Sequence, residues 1–137
     1  MSMFFQTSKR AIERYITAMN AHDVEGMLAF VAPHACFVDS QGDAISGVNV
    51  LAKVMRRFFE IEPRFRLIPT EIAEFRGAVL IRGSVEADDP DLLHDSLWRT
   101  RVEHQRLVFW QSFADGKAAP IARSLAPRDH FRPPVQT

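Results

Sequence analysis

Cysteine is almost absent from this sequence. Cys36 stands alone, so the chain can form neither an internal disulfide nor a thiolate metal cluster. Flanked by Ala35 and Phe37 in an apolar stretch, it reads as a buried, inert thiol rather than a nucleophile. A surplus of either charge is absent too, because 17 Lys and Arg balance 17 Asp and Glu. Nucleic-acid binders carry extra basic side chains to neutralise phosphates, so that class is set aside. No apolar run approaches the roughly 20 residues of a membrane span. The N-terminal MSMFFQTSKRAIERY places a short apolar patch ahead of its charges, the reverse of a secretory signal, and cytoplasm is the expected location.

Several chemical motifs are also missing. There is no Gly-rich phosphate loop and no nucleophile elbow. His22, His34, His94, His104 and His130 share no metal-ligand spacing. Asp88-Asp89-Pro90-Asp91 lacks the glycine and terminal glutamate of a calcium loop and reads as a solvated turn. Neither a metal nor a cofactor is expected.

What is present is one domain's worth of chain. The 137 residues are 47% apolar, enough to bury a core, with no repeat or linker. The expected domain is 1–137, with its core over about 8–125 and an extended tail over 127–137.

The first half is helical in pattern. Ile12, Tyr15, Ile16 and Met19 recur on one helix face between Ser8 and Ala21, with Thr7 or Ser8 as cap. Asp23 can cap a second, short helix that turns Met27, Leu28 and Phe30 inward and stops before Pro33. Ala35–Asp39 reads as a strand, 40–43 as a turn, and Ala44-Ile45 as a returning strand. Ser46-Gly47 opens a third helix, whose apolar stripe is Val48, Leu51, Val54, Met55, Phe58 and Phe59.

After Pro63 the period shortens to two. Residues 64–67 alternate, 77–87 form an apolar strand, and Trp98–Phe113 suits one long strand or two shorter ones. Asp115-Gly116 signals a hairpin, with Lys117–Leu125 returning as a last strand. Helices first and antiparallel strands after make an α+β domain, in which a bent sheet closed by helices leaves a concave interior for small ligands.

Three local patterns carry a family resemblance: Arg14–Asp23 (RYITAMNAHD), Phe37-Val38-Asp39 followed by Gly42 and Gly47, and Phe113–Lys117 (FADGK). In their order and spacing they resemble the SnoaL-like and nuclear transport factor 2-like superfamily, over about Ser8–Leu125. The resemblance implies a cone-shaped, bent antiparallel sheet packed on three N-terminal helices and enclosing a pocket. The nearest enzymatic likeness is to ketosteroid isomerases. It implies that Tyr15 donates a hydrogen bond to an enolate oxygen and that Asp39 moves the proton. The second carboxylate of that oxyanion hole has no counterpart, because none lies between Gln105 and Phe113.

Two functions follow from these residues. One is a cofactor-independent isomerase, dehydratase or cyclase, with Asp39 as acid–base and Tyr15 as donor. Phe37, Phe58, Phe109, Gln111 and Phe113 would line a pocket for a small hydrophobic molecule. The other is a non-catalytic module of the same fold that binds a ligand or dimerises. Alternation along the long strand puts Leu107, Phe109, Gln111 and Phe113 on one face, which resembles the family's pocket-lining face, and Arg106, Val108 and Trp110 on the other. That outer set is the expected surface of a homodimer.

Overall fold

Thr7 begins helix α1 (Ser8–Asn20) by accepting a hydrogen bond from the Arg10 N–H on its side-chain oxygen, 3.0 Å away. The computed structural model describes residues 7–93 and 96–114. Ala11, Ile12, Tyr15, Ile16 and Met19 form the buried face of α1, as their helical spacing requires. His22 then adopts a left-handed backbone, φ 55°, which breaks the helix. Asp23 caps α2 (Val24–Leu28) through the Gly26 N–H.

Strand β1 (Val31–Val38) begins earlier than expected and runs through Pro33. It pairs antiparallel with β2 (Ala44–Ser46). Gly47, at φ 97°, turns the chain into α3 (Val48–Ile61), a conformation that suits glycine because it has no Cβ. The second half supplies β3 (Arg66–Phe75), β4 (Ala78–Glu86), β5 (Ser96–Glu103) and β6 (Arg106–Ala114), with a 3₁₀ turn at Pro90–Leu92 before β5. The region 98–113 is therefore two strands. His104 and Gln105, both with positive φ, form the tight turn between them. The expected hairpin at Asp115-Gly116, the strand over Lys117–Leu125 and the tail lie outside the described residues.

The six strands form one sheet in the order β2-β1-β6-β5-β4-β3. It is mixed rather than wholly antiparallel, because β1 runs parallel to β6. Much of β3 escaped the sequence reading. It is an edge strand, mostly exposed, and it tolerates Pro69 because no ladder partner needs that N–H. The Asn20 side chain fastens β3 to α1, donating to the Leu67 carbonyl at 2.9 Å and accepting from the Leu67 N–H at 2.8 Å.

One local irregularity decides which side chains face the helices. Arg101 pairs with Phe109 and Val102 with Leu107, so Val108 is an extra residue, a β-bulge in β6. Leu107 and Trp110 are three residues apart, yet both are buried in the core. Alternation from Leu107 therefore fails beyond the bulge. Trp110 lies inside rather than on the outer face, and Phe109, Gln111 and Phe113 do not face the interior. Phe109 lies under the Arg99 guanidinium, 5.4 Å from ring centroid to Cζ, and Phe113 is exposed. Cys36, the partner of Phe109 on β1, is half-buried rather than fully enclosed.

Candidate functional site

Between the helices and the inner sheet face lies a cavity of about 160 Å³. Its deep wall is apolar. Tyr15 and Met19 come from α1, Leu51 and Phe58 from α3, Phe37 from β1, and Trp110 from β6. It reaches the end of the sheet where β1 and β6 finish and β5 begins. Asp39, Ser40, Ser96, Ser112 and Asp91 bring polar groups there. A cavity with an apolar floor and a few polar groups suits a small organic molecule.

Tyr15 and Asp39, expected from sequence to share a site, both line this cavity. Tyr15 is fully enclosed, its ring 5.3 Å from that of Trp110. Burial pushes its phenol well above the ordinary tyrosine range, because the charged phenolate would be stripped of water. The hydroxyl therefore stays protonated and able to donate.

Asp39 follows the last residue of β1 and does two things at once. Its Oδ1 accepts from the Gln41 and Asp43 N–H groups, each at 3.0 Å, which fixes the turn into β2. The same residue lines the cavity.

Phe37 and Phe58 line the cavity as expected, whereas Phe109, Gln111 and Phe113 are not among its lining residues. Trp110 and Ser112 occupy their place, and Trp98 completes that wall from β5. Trp98 was legible in principle, since Trp98, Thr100 and Val102 alternate as a buried face. Trp110 was hidden by the bulge.

The loop before β5 closes one side. Glu62, buried at the end of α3, accepts from the Asp88 N–H at 2.7 Å and from the Asp89 N–H at 3.2 Å. This holds the 3₁₀ turn that brings Asp91 and Leu92 to the cavity. Among the described residues, no three His, Cys, Asp or Glu side chains gather as a metal site requires.

The profile of the SnoaL-like domain matches residues 12–121, most of the chain. The chain belongs to the SnoaL-like family. Solved structures superpose on it well. A proposed polyketide cyclase from Sinorhizobium meliloti gives a TM-score of 0.69 at 17% identity, covering 82% of this chain and 98% of its own. A cystatin-fold protein from Novosphingobium aromaticivorans gives 0.71 at 19%, covering 80% and 99%. An LEH-like epoxide hydrolase from M. tuberculosis gives 0.70 at 19%, covering 79% and 78%. No curated protein matches significantly. At such identities the structural likeness speaks for fold alone, and activity must be argued from the SnoaL-like cavity itself. No helix among the described residues is long and apolar enough to cross a membrane.

Proposed function

We propose that this SnoaL-like protein catalyses proton transfer on a small hydrophobic molecule, as an isomerase, dehydratase or cyclase that needs no cofactor. One observation carries the reading: Tyr15 from α1 and Asp39 from the end of β1 line a single cavity. Asp39 removes a proton from a carbon beside a carbonyl. The C–H electron pair moves into a new C=C bond, and the carbonyl oxygen gains the negative charge. The Tyr15 hydroxyl donates a hydrogen bond to that oxygen in a water-poor setting, where such a bond counts most. Protonated Asp39 then returns the proton to the same carbon or to another one. The names of two structural neighbours, a polyketide cyclase and an epoxide hydrolase, are in keeping with a small-molecule pocket.

Exchange of the methyl protons of acetophenone in heavy water, followed by proton NMR, tests the proposal. Asp39→Asn is a clean control, because the amide oxygen can still accept the two backbone N–H groups that hold the turn. Exchange should be catalysed by the wild type and fall about 10²–10⁴-fold in Asp39→Asn. Exchange at the buffer rate in the wild type, or an undiminished rate in Asp39→Asn, ends the reading.

The non-catalytic alternative draws on the engagement of Asp39 in its turn, and binding without exchange is its signature. A homodimer through the outer sheet face remains part of the proposal, with Leu80, Phe109 and Phe113 as its apolar residues in place of Trp110. Sedimentation at the monomer mass would remove it.

A further inference from the structure

Three polar side chains in the cavity wall have no hydrogen-bond partner among the described residues: Tyr15, 2% exposed, Trp98, 5%, and Trp110, 7%. They are neighbours. The Tyr15 and Trp110 ring centroids are 5.3 Å apart, and those of Trp98 and Trp110 6.4 Å. An indole N–H can only donate, and a phenol can donate or accept. Buried donors without acceptors are rare in native proteins, and an occupant of the cavity that brings an acceptor would satisfy them.

The rest of the lining narrows the choice. Among the described residues no Lys, Arg or His borders the cavity, while Asp39 and Asp91 do. A carboxylate or phosphate would lose its water beside two acids and gain no countercharge. An ammonium could pair with Asp39 or Asp91, but it would leave the Tyr15, Trp98 and Trp110 donors without an acceptor. The volume of about 160 Å³ is close to that of apolar cavities of about 150 Å³ that hold one benzene ring.

We infer that Trp98 and Trp110 select the ligand, their indole N–H groups joining the Tyr15 hydroxyl around the acceptor oxygen of an uncharged, one-ring compound such as an aryl or cyclic ketone. This rests on the reading of the cavity as a ligand site, not on its catalysing proton transfer.

Three probes of nearly equal shape test it: acetophenone, α-methylstyrene with CH₂ in place of the oxygen, and benzoate. The chain has only two tryptophans, both in the cavity, so the two indole peaks of a proton–nitrogen correlation spectrum report this wall alone. Acetophenone should bind about tenfold tighter than α-methylstyrene and move the indole protons downfield, the size expected for one good hydrogen bond. Benzoate should leave the peaks in place. Trp98→Phe or Trp110→Phe should weaken acetophenone about tenfold and α-methylstyrene far less.

Equal affinity for ketone and alkene, or a preference for benzoate, overturns the inference, as does equal loss of both neutral probes in the variants. If a variant fails to fold, the wild-type comparison of the three probes decides. Selective ketone binding without methyl-proton exchange ends the proton-transfer reading and leaves this one standing. Exchange without ketone preference does the opposite.

Discussion

Tyr15 is the only tyrosine in the chain, so phenolate absorbance reports its ionisation alone. Desolvation raises its pKa in the folded protein above the ordinary 10.0, whereas the unfolded chain keeps the ordinary value. As pH rises past 10, the unfolded state therefore releases this proton first and gains free energy that the folded state cannot match. The stability tied to the neutral phenol is complete below pH 10 and declines above it, until the folded phenol itself ionises. The decline is about 1.4 kcal/mol per pH unit, so Tyr15 costs the fold about 1.4 kcal/mol at about pH 11 relative to pH 8. Lysines and other groups titrate in the same range, and Tyr15→Phe subtracts them. Urea denaturation of both proteins at the two pH values should show the wild type losing about that much more than Tyr15→Phe. The folded wild type should meanwhile show no phenolate band at pH values where a free tyrosine is largely ionised. A phenolate midpoint near 10 in the folded protein, or parallel losses in wild type and variant, would refute the burial argument. So would a larger loss in the variant.

Three further outcomes are expected. Glu62→Ala removes one strong and one weaker charge-assisted hydrogen bond from the loop beside the cavity, worth about 2–3 kcal/mol. Amide exchange at Asp88, Asp89 and Leu92 should accelerate about 30- to 150-fold while the core strands stay protected, and unchanged protection there would refute the anchoring role. Phe58→Ala empties a buried site packed against Phe65, ring centroids 4.9 Å apart, and should cost about 3–5 kcal/mol by denaturation; a loss under about 1 kcal/mol would contradict its place in the core. Gly83→Ala would set a Cβ 2.2 Å from the Ile68 carbonyl oxygen, a backbone atom with little room to yield. It should destabilise the β3–β4 pair by at least about 1–3 kcal/mol, and a neutral effect in thermal unfolding would show that β3 shifts freely.

The helices and the inward position of Tyr15 were legible in the sequence because helix geometry is local. Hydrogen bonds four residues apart impose a 3.6-residue period, so Ile12, Tyr15, Ile16 and Met19 must share a face wherever the helix docks. Caps at Thr7 and Asp23, and the turn built on Asp39, likewise depend on neighbours within four residues. The SnoaL-like resemblance was readable for the same reason, since its patterns are runs of such local signals. Strand faces are another matter. A side chain alternates across a sheet only while the register holds, and register is settled between strands distant in sequence. One extra residue at Val108, visible only in the pairing of β6 with β5, moved Trp110 from the expected outer surface to the cavity wall and turned Phe109, Gln111 and Phe113 away from it. The edge strand β3 and the parallel pairing of β1 with β6 were hidden for the same cause. Sequence alone determined the helices, the fold class and the buried face of α1 that carries Tyr15. Tertiary structure decided which aromatic rings enclose the cavity, because a sheet's inner face is chosen by its neighbours and not by the strand itself.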